Sequence, residues 1–350
     1  VGEELNQFSL STDVADTQWL RYRHLRPRKD DWEKHLGKRT PELPRRMRGN
    51  VPPGELITDH YAYNDTPLND LGGFSSLIGL HWVGDLAVEA TTEIKSSSGT
   101  LSLELVEGGV KYQCQIDVSS GKATFGWANE FNEDAVTFDG ETTQDTPVQG
   151  PGTYRILFAN SDDKLFLWVD DRFVASCEYS RTGNVVPRWS EENAGDAEPV
   201  GIGGSQIDLQ VNRLQVMRDI YYTSKNLTRQ TSSMEDKPFF EYVGMDPRNP
   251  QIVSAIISLF QEPAEWAGPG AARLFAARDR DESYVFRLEE NQFLPMGDNS
   301  PHSNDARTWN GARYVDESYL LGEALYIYWP HALTSPLPFW PNFGRMKFIR

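Results

Sequence analysis

Leu165-Phe166-Leu167-Trp168-Val169-Asp170-Asp171-Arg172-Phe173-Val174-Ala175-Ser176-Cys177 decides the fold. Two short runs of apolar, aromatic and β-branched residues flank a pair of aspartates. Such runs read as strands, and adjacent aspartates are turn chemistry, so the stretch reads as a β-hairpin. Upstream, Tyr154-Arg155-Ile156-Leu157-Phe158-Ala159 enters it through the turn residues Asn160-Ser161-Asp162-Asp163-Lys164. Earlier still, Leu101 to Val106 alternates with period two, which predicts one buried and one wet face. Glu107-Gly108-Gly109 turns that run into Val110 to Val118, and Ser119-Ser120-Gly121-Lys122 turns the next into Ala123 to Trp127. Leu77 to Ala90 also has strand composition. Downstream, Pro199-Val200-Gly201-Ile202-Gly203-Gly204 and Leu209 to Met217 supply two closing strands.

Short strands at this spacing predict a mainly β chain, with an antiparallel jelly-roll sandwich over about residues 56–224. The Leu165–Cys177 hairpin and the Pro199–Met217 closing strands resemble concanavalin-like and laminin-G-like jelly rolls. That resemblance implies a fold more than a function, because its motifs are general β patterns.

The chain has 350 residues, more than one ordinary domain holds. Ten Trp, fourteen Tyr and seventeen Phe can fill a sizeable core. The net charge of −17 argues against nucleic acid as a partner, since phosphate binding needs a basic face. One basic stretch runs the other way, between Arg21 and Arg48. It reads as a solvated arm, or as a segment for anionic lipid headgroups. Apolar runs such as Ile252 to Phe260 are too short to span a bilayer, and Val1-Gly2-Glu3-Glu4 does not open a signal peptide. The two cysteines, Cys114 and Cys177, are compatible with free thiols or one disulfide. No Cys/His spacing suggests a metal or cofactor.

Residues 1–55, punctuated by prolines, read as an irregular basic lead-in. Residues 225–284 are mixed. Pro250 to Gln261 predicts a helix with Ile252, Ile256, Ile257 and Phe260 on one face, Asn249 at its N-cap and Pro263 beyond its end. Residues 284–350 return to β, through Tyr284 to Leu288 and a terminal strand near Leu320 to Pro330.

The chemistry-bearing stretch is Met296-Gly297-Asp298-Asn299-Ser300-Pro301-His302-Ser303-Asn304-Asp305-Ala306-Arg307-Thr308-Trp309. A carboxylate can accept two parallel bonds from a guanidinium and so fix a loop's shape, and glycine permits backbone conformations closed to other residues. Gly297, Asp298, Asn299, Ser303, Asp305, Arg307 and Trp309 fit the last signature box of type I signal peptidases, which this stretch resembles. Leu320, Gly322 and Ala324 fit that family's following Leu-x-Gly-x-Ala spacing. Ser300, Ala306 and Asn310 depart from the pattern. The resemblance makes 225–350 the C-terminal part of a peptidase-like domain, with the sandwich inserted before its last box. It implies a Ser/Lys serine endopeptidase that cleaves signal peptides of exported preproteins at the extracytoplasmic side of the cell membrane. Ser303 would orient the catalytic lysine's amine, while Asp298, Asp305 and Arg307 would support the site, with Gly297 and Asn299 shaping the loop. None of these is the nucleophile.

The serine and lysine boxes are not legible here. Ser233-Met234-Glu235-Asp236-Lys237-Pro238 only superficially resembles the first, and no lysine lies between Lys237 and Lys347 to act as base. The expectation is therefore a chain that holds neither nucleophile nor base and is inactive alone, its membrane anchor lying elsewhere. The competing reading is a glycan- or protein-binding sandwich, with Trp82, Trp127 and Trp168 as stacking candidates. A glycosidase reading on Glu89 and Glu93 lacks the expected alternating acidic series.

Overall fold

The computed structural model describes residues 7–25, 53–59, 82–131, 135–183, 185–220, 222, 250–268, 271, 275, 285–297, 303–328 and 346–349. Thirteen strands form a two-sheet antiparallel sandwich: β1 (Phe8–Ser11), β2 (Gln18–Tyr22), β3 (Leu86–Ile94), β4 (Thr100–Glu107), β5 (Val110–Asp117), β6 (Lys122–Asn129), β7 (Val136–Asp139), β8 (Thr143–Asp145), β9 (Gly152–Ser161), β10 (Lys164–Val169), β11 (Arg172–Arg181), β12 (Val200–Ser205) and β13 (Asp208–Arg218). A seven-stranded sheet runs β1-β13-β3-β9-β10-β11-β7, and a six-stranded sheet runs β2-β12-β4-β5-β6-β8.

The hairpin that opened the sequence reading is β10–β11, linked by Asp170-Asp171 with φ of 51° and 63°. Asp162-Asp163 and Gly108-Gly109 make two more two-residue links with positive φ at both positions. Such turns have the twist of the strands they join, which is why Asp and Gly pairs sit there. The inner faces interdigitate through Val88, Leu103, Tyr112, Ile156, Phe158 and Leu167, all fully or almost fully buried. Cys114 on β5 and Cys177 on β11 are free buried thiols on opposite sheets, which settles the open disulfide question.

Four readings are corrected. The stretch 1–55 is not irregular throughout: β1 pairs with β13 and β2 with β12, so the sandwich recruits its first strands from the lead-in. Each is only four or five residues long and lies in a polar stretch, which masked them. Arg21 and Arg23 accordingly belong to the sandwich, while the rest of the basic stretch, from Arg26 to Arg48, lies outside the described residues. The expected wet face of Leu101–Val106 is also buried, because β4 is a central strand whose Ser102 and Glu104 lie among neighbouring side chains. The first long strand begins at Leu86. Trp82 instead makes an isolated bridge with Thr58.

The predicted helix is present as α1 (Pro250–Gln261) and ends before a 3-10 turn at Pro263–Glu265. Ile256 and Phe260 are buried in a second apolar cluster with Leu56, Trp82, Trp266 and Phe275. Asn249 lies outside the described residues. Near the C-terminus, β14 (Gln292–Phe293) pairs with β15 (Val315–Asp316), and β16 (Tyr326–Ile327) with β17 (Lys347–Phe348). Regular strand is therefore shorter here than expected. Neither Val285 to Leu288 nor Leu320 to Leu325 forms a strand.

Candidate functional site

Strand register builds a polar surface on the outer face of the six-stranded sheet. One row across it reads Arg21, Gly201, Glu104, Gln113 and Gly126. The next reads Trp19, Gly203, Ser102, Gln115 and Thr124. Side chains two apart on a strand share a face, so these ten positions form one continuous surface. The glycines of β12 leave a trough that the half-buried Trp19 ring occupies. A Cβ on Gly201 would stand 3.0 Å from the ring and one on Gly203 would stand 3.1 Å from it. The Arg21 guanidinium lies 5.0 Å from the same ring, a cation–π contact.

Glu104 is the centre of the surface. One carboxylate oxygen accepts from Arg21 Nη1 at 2.6 Å and the other from Gln113 Nε2 at 2.7 Å. Its side chain is 1% exposed and that of Arg21 26%. A charge so enclosed is tolerable only because both oxygens are engaged. Beside it, the Ser102 hydroxyl is fully buried with no hydrogen-bond partner among the described residues.

At the end of β4 this surface opens into a cavity of about 320 Å³, lined by Arg21, Val106, Lys111, Glu130, Asn193 and Glu198 among others. Lys111 Nζ lies 2.8 Å from Glu130, Asn193 Nδ2 donates to Glu130 at 2.6 Å, and Arg23 pairs with Glu198. The residues on one side of the cavity, Glu191 to Gly195, belong to the loop between β11 and β12.

The tryptophans singled out in the sequence fare differently. Trp82, 5% exposed, packs edge-on to Phe275 at 6.0 Å and is a core residue, not a stacking platform. Trp127 on β6 is 37% exposed. Trp168 faces outward from the other sheet, stacked on Phe166 at 5.5 Å with Phe173 edge-on at 5.8 Å. Its ring is thus packed against two aromatic neighbours. Trp19 went unnoticed because one indole in a polar, proline-rich lead-in carries no strand signal. Only its place opposite Gly203 reveals it. Glu89 accepts from Arg155 at 2.7 Å on the seven-stranded sheet, away from the polar surface.

The Gly297–Trp309 loop is built around a buried ion pair. Arg307 Nε donates to Asp305 Oδ1 at 2.8 Å and Nη2 to Oδ2 at 2.7 Å, a two-point fork. The Gly297 amide donates to Asp305 Oδ2 at 2.9 Å, and the Arg307 amide to Oδ1 at 3.2 Å. Burial would push the Asp305 carboxyl up, but the Arg307 guanidinium and these two amides together hold it below the usual value. The Arg307 guanidinium also sits 5.1 Å from the Tyr222 ring. A Cβ on Gly297 would collide with the Ser303 side chain, so glycine is what lets Ser303 approach. Asp305, Arg307, Gly297 and Ser303 are therefore brought together, whereas Asp298 and Asn299 lie outside the described residues. Around this loop many apolar side chains face solvent, including Val285, Tyr319, Leu321, Leu325, Tyr328 and Phe348.

Fold and surface together define a two-sheet antiparallel β-sandwich of the jelly-roll class with a polar outer face. No family model matches the chain, and no curated protein matches it. Among solved structures it is similar to the carbohydrate-binding module CBM66 from Bacillus subtilis, at 13% identity, covering 38% of this chain and 74% of that one, with a TM-score of 0.25. It is similar also to the Caenorhabditis elegans galectin LEC-6, at 10% identity over 39% and 84% of the two chains, with a TM-score of 0.26. Sheep galectin-11 gives 8% identity over 38% and 90%, with a TM-score of 0.26.

Proposed function

We propose that the sandwich is a ligand-binding module and that its ligand, a glycan, lies on the outer face of the six-stranded sheet. The observation that carries this reading is the outer face that presents Trp19, Arg21, Gln113 and Gln115, held from beneath by the buried Glu104, with the polar cavity beside it. A glycan offers vicinal hydroxyls and an apolar ring face. Amide and guanidinium groups on the sheet and the glutamates of the cavity match the first, and an indole matches the second. A protein partner is the weaker fit, because the centre of a protein interface is apolar and poor in charge. Here charged and amide groups occupy the centre.

The test is a fluorescence and calorimetric titration with glucose-, xylose-, mannose- and N-acetylglucosamine-based hexaoses. Saturable binding of one of them is expected. Trp19→Ala is expected to weaken it about tenfold, roughly 1.4 kcal/mol. Absence of saturation with every hexaose, or an unchanged Kd in Trp19→Ala, would overturn the reading.

A second reading concerns residues 285–349. The forked Asp305–Arg307 pair, the Gly297–Ser303 approach and the apolar side chains facing solvent favour a peptidase-like support loop in a larger β body. On this reading the parent protein is a type I signal peptidase acting on signal peptides of exported preproteins. Its serine and lysine, and its membrane segment, would come from polypeptide outside these 350 residues. Ser303→Ala in that longer protein is expected to lower preprotein cleavage at least tenfold with no loss of folding. Unchanged cleavage would exclude the orienting role.

A further inference from the structure

The cavity beside the polar surface has a wall made by the loop Arg188–Glu198, and one side chain fixes that wall to the sheet. Asp196 is 2% exposed, between the cavity-lining Gly195 and Ala197, which packs into the second apolar cluster. Its carboxylate reaches across to the β4–β5 turn. Oδ1 accepts from the Gly108 amide at 2.8 Å, and Oδ2 from the Gly109 amide at 2.9 Å and the Arg188 amide at 2.8 Å. Gly108 and Gly109 both have positive φ, 55° and 78°. Consecutive residues in that region aim successive amides into one concavity, an arrangement that receives an anion. Here the anion is supplied by the protein's own loop.

The clamp is enclosed on every side. Arg181 on β11 donates from its guanidinium to the carbonyls of Glu107 at 2.9 Å and Gly108 at 2.8 Å, holding the turn from behind. The Glu107 carboxylate points to the sandwich interior, where Asn160 Nδ2 donates to it at 3.1 Å and Tyr179 Oη donates in turn to Asn160 at 2.8 Å. Arg188 completes the charged groups around it, on the loop itself. The Asp196 amide closes a small ring by donating to Arg188 O at 3.0 Å. The cavity's far side, Val106 and Lys111, belongs to the two strands that the clamped turn joins.

We infer that Asp196 is a positioning residue for the candidate site: its three amide bonds set the distance between the cavity wall and the β4–β5 hairpin. This deepens the ligand-binding reading and takes its functional meaning from it. Burial pushes the carboxyl up to about 6, against the pull of the Arg188, Gly108 and Gly109 amides and of Arg181. The three amide bonds favour the ionised carboxylate, the form in which both oxygens can accept them.

Site-resolved amide hydrogen exchange tests this with no ligand present, so its outcome is separable from the glycan titration. After correction for intrinsic rates, Gly108, Gly109 and Arg188 in Asp196→Ala are all expected to exchange at least tenfold faster than in wild type, while β9 and β10 amides keep their protection. Asp196→Asn covers the case in which the alanine variant does not fold. Its one remaining oxygen can still serve Gly109 and Arg188, so Gly108 alone is expected to lose protection. Protection of the three amides that is unchanged in Asp196→Ala, or identical in wild type and Asp196→Asn, would overturn the inference.

Discussion

Arg307→Ala is expected to cost the C-terminal loop about 3–5 kcal/mol, because it strands a buried carboxylate that had two guanidinium bonds. The Asp305 and Arg307 side chains are 9% and 3% exposed. After the substitution Asp305 keeps, among the described residues, the amide donors of Gly297 and residue 307, and burial then dominates its titration. In the wild type the carboxyl is held below 3.8. Its stabilising contribution is therefore present above pH 3.8 and is lost only as pH falls through the depressed value. In Arg307→Ala that loss is expected at higher pH. Limited proteolysis and amide exchange at residues 303–309, followed from pH 7 to pH 3, read both effects. Protection equal to wild type at pH 7 would mean that the fork is incidental to the loop. Arg307→Lys should recover little, since an ammonium cannot reproduce the two-point geometry.

Glu104→Ala is expected to be the most damaging single change on the sandwich surface, at about 3 kcal/mol. It removes the acceptor of both Arg21 and Gln113 and leaves space next to the Ser102 hydroxyl, which has no partner among the described residues. Glu104→Gln preserves shape and one acceptor oxygen, and a rotated Gln113 amide can offer its own oxygen to the new NH2, so about 1 kcal/mol is expected. The pair Arg21→Ala and Glu104→Ala should cost less together than the sum of the two, since each single change orphans the other partner. Denaturant titration of the four proteins measures the coupling. Strict additivity would show that the 2.6 Å contact contributes nothing to stability.

The sandwich was legible wherever strand composition and turn chemistry coincided: Leu165–Cys177, Tyr154–Ala159 and the glycine turn at Gly108-Gly109 all stand where the residues put them. So was α1, whose Ile256 and Phe260 face the apolar cluster. What the sequence hid has one physical cause, pairing between distant segments. Gln18–Tyr22 has no apolar alternation of its own and becomes a strand because the glycine-rich β12 accepts it. The outer face of β4 looked wet because nothing local announces that Arg21 arrives to cover Glu104. The polar surface thus draws on β2, β12, β4, β5 and β6, and only register brings its residues into one row. The Asp305–Arg307 loop is the opposite case. Its partners lie within a dozen positions, so its composition could be read directly from the chain.

The way β1 and β2 join the sandwich has a kinetic consequence. Phe8 waits for Val211 and Trp19 for Gly203, and their partners, β12 and β13, are neighbours in the chain. On a ribosome the first-made strands must stay unpaired until the last two emerge. Then one hairpin-sized event closes an edge of each sheet at once. Contacts of such long sequence separation slow folding. Until that moment the emerging sandwich exposes two open edges, each a template for pairing with another nascent copy.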